Sequence, residues 1–133
     1  MLLIGLAASN VERRIAVANA MMESGLCQVS AWANQSVDPP QQRVARIDAL
    51  VSVTPRRWTD CLVFAHVMSE AEAERLRSLG ASIWHVQGEP SDDVRIVRGD
   101  LLVTPTSGGD RHYLDPVEAL SEELIREGEH ASA

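Results

Sequence analysis

Residues 61–86 read CLVFAHVMSEAEAERLRSLGASIWHV, and the order of residue types in this stretch decides the class of fold. Cys61-Leu62-Val63-Phe64-Ala65 is an unbroken apolar run, the pattern of a strand covered on both faces of a sheet. Ser69 followed by Glu72 has capping-box spacing, in which each side chain can satisfy a backbone N–H at a helix start. Leu76 and Leu79 then carry a helix to Gly80, and a residue without a Cβ suits the left-handed position that closes a helix. Ser82 to Val86 returns to strand character. A strand, a helix and a second strand in succession imply a crossover connection and parallel pairing.

The same grammar occurs on either side. Leu2-Leu3-Ile4-Gly5-Leu6 reads as a central strand. Ser9 and Glu12 form a second capping-box pattern, and Val11, Ile15, Ala18 and Met22 give the helix an apolar face that runs to Gly25. Leu26 to Ala33 is ambiguous, because Cys27, Val29 and Ala31 alternate as in a strand while Trp32 and Ala33 suit either state. Asp38-Pro39-Pro40 predicts a helix start with Asp38 as cap, an apolar face of Val44, Ile47, Leu50 and Val51, and an end at Thr54-Pro55. Beyond the opening stretch, Asp92 to Leu102 carries Val94 and Ile96 in short extended pieces before the strand Leu101-Leu102-Val103. Asp115-Pro116, with Glu118 completing the cap, opens a last helix whose inner face is Val117, Leu120, Leu124 and Ile125 and which Gly128 stops. The expectation is one α/β domain over 1–128, three-layered, with a mostly parallel sheet, helices on both faces and right-handed crossovers, followed by a flexible tail over 129–133. Ligands of such folds sit beyond the carboxyl ends of the strands.

A length of 133 residues suffices for a core without disulfide or metal support. No run approaches the roughly 20 apolar residues of a membrane helix, and Met1 to Leu6 lacks the basic flank of a secretory signal, so a cytoplasmic setting is expected. The net charge of −7, from 19 acidic and 12 basic residues, disfavours nucleic-acid backbones and anionic lipid as partners. All 12 basic residues are arginines. No lysine can therefore act as a point charge or Schiff base, while forked recognition of phosphate or carboxylate stays open. Cys27 and Cys61 read as small buried hydrophobes, and no spacing of histidines and cysteines suggests a metal site.

Three segments are candidate sites. At the first strand-to-helix turn, Ser9 and Asn10 with Arg13 or Arg14 can attract an anion through free N–H groups and the helix dipole, although Glu12 adds like charge there. Thr104 to Tyr113 follows a strand, and within it Ser107, Gly108, Gly109, Asp110, Arg111 and His112 can bind phosphate or serve only as a connecting loop. Pro55-Arg56-Arg57-Trp58 can present two forked cations and an aromatic ring to a partner protein, or Trp58 can cover the end of the sheet. His66 lies where functional side chains emerge from a strand, His85 lies mid-strand and His130 lies in the tail. No nucleophile elbow, zincin helix or redox cysteine pair is present.

Leu3-Ile4-Gly5-Leu6 and the run Ser69 to Val86 are similar to deoxynucleoside monophosphate kinases encoded by tailed bacteriophages, members of the P-loop kinase group. The first opens as those enzymes do before their phosphate loop; the second resembles their acidic helix start, leucine-bearing helix, glycine stop and following strand. The likeness extends to Asp100-Leu101-Leu102-Val103 and the final helix. It implies a P-loop-kinase-like fold and nucleotide ancestry. It also exposes what is missing. The turn Gly5-Leu6-Ala7-Ala8-Ser9-Asn10-Val11-Glu12 lacks the second glycine, the lysine and the magnesium-holding hydroxyl of a phosphate loop, and it is shorter. Where those kinases carry an Asp-Val-Arg-Phe-Pro-Asn type run, this chain has Phe64-Ala65-His66-Val67-Met68-Ser69, without the acid or the arginine. Phosphoryl transfer depends on such positioning and charge, so no catalytic residue carries over.

The sequence therefore leads to a non-catalytic relative of these kinases that binds a nucleotide or a phage or bacterial host protein, with no cofactor. A second reading is an active kinase using ATP and magnesium, with Arg13 or Arg111 in place of lysine. A third is a small module that forms homodimers.

Overall fold

The computed structural model describes residues 1–89 and 93–132, with backbone alone for 130–132. Along the chain run β1 (Leu2–Ala7), α1 (Val11–Glu23), β2 (Val29–Trp32), α2 (Pro40–Val53), β3 (Cys61–Phe64), α3 (Glu70–Ser78), β4 (Ser82–Val86), β5 (Leu101–Val103) and α4 (Pro116–Ser132). The strands form one five-stranded sheet in the order β2, β3, β1, β4, β5, with every neighbouring pair parallel. The three-layered α/β architecture expected from the sequence is present, and Leu26 to Ala33 resolves into a strand at Val29–Trp32.

The continuous apolar runs are explained by burial on both sides. Alternate residues of each strand feed two separate cores. Ile4, Leu6, Val63 and Trp84 face α1 and α4, while Leu3, Leu62, Phe64 and Ile83 face α2 and α3. Each fully buried large side chain among these contributes roughly 1.5–3 kcal/mol. Gly5 is a close approach, since a Cβ there would lie 2.9 Å from Val67 Cγ2 and 3.0 Å from Leu76 Cδ1. The chain leaves β1 through the α1 face toward β2, then travels the other way through the opposite face by α2 and α3. Reversing both direction and face preserves the hand of the crossover.

Several local expectations are corrected. Asn10, not Ser9, caps α1, its side chain accepting from the Arg13 N–H. Pro39 takes the cap position of α2 without a side-chain bond, and Asp38 instead pairs with Arg46 at 2.9 Å. The buried face of α1 is Arg14, Val17, Ala18 and Met21, leaving Val11 and Met22 exposed. On α4, Ala119, Leu120 and Glu123 are buried while Val117 and Ile125 are exposed. Gly128 does not stop α4, which continues to Ser132. Val94 and Ile96 lie in irregular backbone outside any strand, and Asp92 is outside the described residues. The Ser69 cap on α3, the positive φ of 88° at Gly80 and the Asp115 cap on α4 agree with the sequence reading.

Candidate functional site

The strand order places β1 between β3 and β4, and the chain leaves β1 on one face of the sheet but leaves β3 on the other. Diverging connections open a crevice at the carboxyl ends of such strands, the usual ligand position in open α/β sheets. Here that edge is built from Ala8 to Asn10 after β1, Ala33 to Pro39 after β2, Ala65 to Ser69 after β3 and Gln87 to Glu89 after β4.

The turn after β1 is already engaged with its neighbour. The backbone N–H and the Oγ of Ser9 both donate to the Glu89 carbonyl, at 3.2 and 2.7 Å. The Asn10 side chain occupies the N–H of Arg13, and Arg13 Nη1 donates to the Gln87 carbonyl at 2.8 Å. Gly88 makes this approach possible with a φ of 139°. Ser9, Asn10 and Arg13 thus stand together as the sequence suggested, but they fasten α1 to the segment after β4.

Arg14 departs from its neighbour. It is 4% exposed and reaches inward, donating to the Ala8 carbonyl and, through Nε and Nη2, to His66 Nδ1 at 3.3 and 3.1 Å. Burial, followed by the nearby Arg43 charge, pulls the Arg14 guanidinium below its ordinary pKa. It nevertheless stays charged, as arginine does in proteins. Burial, with Arg14 and then Arg43 adding like charge, lowers His66 to about 4, so its imidazole is neutral near pH 7.

Arg43 is the second buried guanidinium. Its Nε meets Glu72 Oε1 at 2.8 Å, and its Nη groups donate to the carbonyls of Ser36, Asn34 and His66. Glu72 in turn accepts from the Met68 N–H and the Ser69 hydroxyl, so the residue expected only to cap α3 also neutralises Arg43. One arginine therefore ties together the ends of β2 and β3 and the start of α3.

The loop over 104–113 lies at the same edge. Gln87 Nε2 donates to Asp110 Oδ2 at 2.8 Å, linking the loop through Gln87 to Arg13. The N–H of Gly108 donates to Asp115, and a Cβ on Gly109 would meet the Tyr113 carbonyl at 2.8 Å. Burial opposes ionisation of Asp115, but hydrogen bonds from Glu118, Gly108 and Val117 outweigh it and hold the carboxyl below its ordinary range. Ser107, Arg111 and His112 are exposed, and among the described residues no ion pair or hydrogen bond joins Arg111 or His112 to Arg14 or His66. A small cleft between Ala8, His85, Gly88, Ile96 and Tyr113 separates loop and turn. Of its lining, His85 donates from Nε2 to Asp100 Oδ2 at 2.7 Å, and the same oxygen accepts from Arg77 Nη2 at 2.7 Å.

Arg56, Arg57 and Trp58 are far from this edge in the topology, on the turn that leads into the amino end of β3. Trp58 is 65% exposed and does not cover the sheet; Arg56 and Arg57 are exposed beside it.

Comparison with protein-family models, with curated proteins and with solved structures finds no match to this chain. The site rests on its own geometry. Sequence reasoning missed Asn34 and Arg43 and saw Glu72 only as a cap. One signal was present: Arg14 with Val17, Ala18 and Met21, and Arg43 with Ile47 and Leu50, occupy positions at helical spacing on an apolar face.

Proposed function

We propose that this chain is a non-catalytic relative of the phage-type deoxynucleoside monophosphate kinases and acts by recognition. The observation that carries the reading is the turn between β1 and α1. It consists of Ala8, Ser9 and Asn10, with Ser9 bonded to Glu89 and Asn10 capping the helix. A phosphate-binding loop needs several free backbone N–H groups around the phosphate and a mobile cation at the helix start. This turn has neither the length nor the cation.

The reading with arginine in place of lysine has less support. Arg13 is held on the Gln87 carbonyl, and Arg111 is exposed on the loop beyond Asp110. Recognition of a phage or host protein has a second supporting feature at the other end of the molecule, where exposed Trp58 stands beside Arg56 and Arg57. Exposed tryptophan and arginine are the residue types that anchor protein contacts.

The test is incubation with ATP, magnesium and each deoxynucleoside monophosphate, with diphosphate product measured. No turnover above the protein-free control is expected. Turnover abolished by Arg13→Ala or Arg111→Ala would overturn the reading.

A further inference from the structure

Asn34 and His66 lie side by side just past the last paired residues of β2 and β3, Trp32 and Phe64, and Arg43 Nη2 holds both of their main-chain carbonyls, at 2.9 and 2.8 Å. The side chains of these two residues have a common deficit. Asn34 Oδ1 accepts from the Ser36 N–H at 3.1 Å, which fixes the orientation of the amide and leaves Nδ2 as its free end. Nδ2 is buried and has no hydrogen-bond partner. On His66, Nδ1 faces the donors of Arg14 and so accepts, which puts the proton of the neutral ring on Nε2. Nε2 is also buried without a partner, on a residue 4% exposed.

Charge shows the same imbalance. Glu72 neutralises Arg43, but the contacts of Arg14 are a carbonyl and an imidazole nitrogen, neither of which carries charge. Among the described residues no carboxylate pairs with Arg14. Buried donors without acceptors and buried charges without counter-charges are both unfavourable, and one group answers both: an acceptor-only anion. Arg43, which holds the carbonyls of Asn34 and His66, also lines a cleft with Ser36, Asp38, Met68 and Glu72 that opens to solvent. The carboxylates of this cleft are already committed, Asp38 to Arg46 and Ser36, and Glu72 to Arg43 and Ser69.

We propose that the corner formed by Asn34 and His66 binds a small oxyanion, a phosphate or carboxylate group, with Asn34 Nδ2 and His66 Nε2 as donors and Arg14, on the other edge of the His66 ring, as the nearby unpaired positive charge. This deepens the recognition reading and rests on it. The oxyanion is a ligand and no bond is made or broken.

The experiment is thermal melting of the full chain in inorganic phosphate, acetate and a deoxynucleoside monophosphate, each against chloride of equal ionic strength. Phosphate or acetate at a hundredfold excess over its Kd is expected to raise Tm on the order of 5–10 °C. A larger effect of the monophosphate than of inorganic phosphate identifies a phosphate carried on a nucleoside; a larger effect of acetate identifies a carboxylate. Asn34→Asp retains Oδ1 for Ser36 and puts a carboxylate oxygen where the orphaned amide stood. It is expected to melt above the parent in chloride and to lose the oxyanion response. Should that variant fold poorly, 15N spectra of the parent's histidine rings, with His66 assigned through His66→Gln, supply the second readout: phosphate is expected to move the Nε2 resonance. A parent indifferent to both oxyanions, an Asn34→Asp protein responding as the parent does, or a His66 Nε2 resonance that phosphate leaves in place overturns the proposal. Kinase turnover would remove the recognition reading while leaving these responses intact, so the two failures are distinguishable.

Discussion

Two pairs of consecutive arginines sit at opposite ends of this sheet and meet opposite fates. At the carboxyl edge, Arg13 lies on the surface while Arg14 is buried against His66, and Arg43 joins it from α2. At the amino edge, Arg56 and Arg57 are both exposed beside a tryptophan that is itself 65% exposed. The same side chain thus serves as an internal strut in one place and as surface in the other. What separates them is the backbone on offer. Strands that have just ended, before their helices begin, present unpaired carbonyls at Ala8, Asn34, Ser36 and His66, and a guanidinium with five donors in a fixed fork can collect several of these at once. The turn at Pro55 to Trp58 closes on itself, with the Trp58 N–H on the Pro55 carbonyl, and asks nothing of its arginines.

The contrast is tested most severely at Glu72. Glu72→Ala leaves Arg43 buried without its counter-charge and removes the acceptor for the Met68 N–H, and a loss of about 3–5 kcal/mol is expected in urea unfolding. A loss below about 1 kcal/mol would mean that the Arg43 carbonyl contacts suffice alone.

A smaller effect comes from pH. His66 titrates at about 4 in the folded chain against 6.5 when free of its surroundings, so between these values the unfolded chain binds the extra proton. Stability from this group is complete above pH 6.5 and is lost as pH falls toward 4, by on the order of 3 kcal/mol. His66→Gln should flatten that part of the stability profile, leaving only the carboxylate contribution at lower pH.

The smallest effect belongs to the amino edge. Trp58→Ala, and the double change of Arg56 and Arg57 to alanine, should each alter unfolding free energy by no more than about 0.5 kcal/mol, because neither removes buried contacts. A cost above 1 kcal/mol would show that the turn supports the sheet and would erase the distinction between the two edges.

The fold was largely legible because its signals are local. Cys61 to Phe64 and Leu2 to Ala7 announce strands covered on both faces, and Ser69, Gly80 and Asp115 mark helix ends by the chemistry of one side chain or one missing Cβ. The site was only partly legible. Ser9, Asn10, Arg13 and Asp110 could be singled out because they fall in, or within a helical turn of, the connections that follow strands. Asn34 and Arg43 were not, because their roles arise from register between β2 and β3 and from carbonyls distant in sequence. The inner faces of α1 and α4 were misphased for a related reason. Reading charges as outward-facing excluded Arg14 and Glu123, and so favoured Val11, Met22, Val117 and Ile125, which lie exposed. Glu123 is buried because Ser82 Oγ donates to it at 2.8 Å and Trp84 Nε1 at 3.4 Å, an arrangement no periodicity announces.

The brevity of the turn after β1 also fixes what a phosphate-binding loop would require at this place. Replacing Asn10 or Val11 by lysine would add a cation but no backbone, and Ser9 would still hold the strand's end against Glu89. Building a phosphate grip there calls for inserted residues and for release of the Gln87 to Glu89 segment, two simultaneous changes rather than one. A single substitution therefore cannot turn this corner into a phosphate grip.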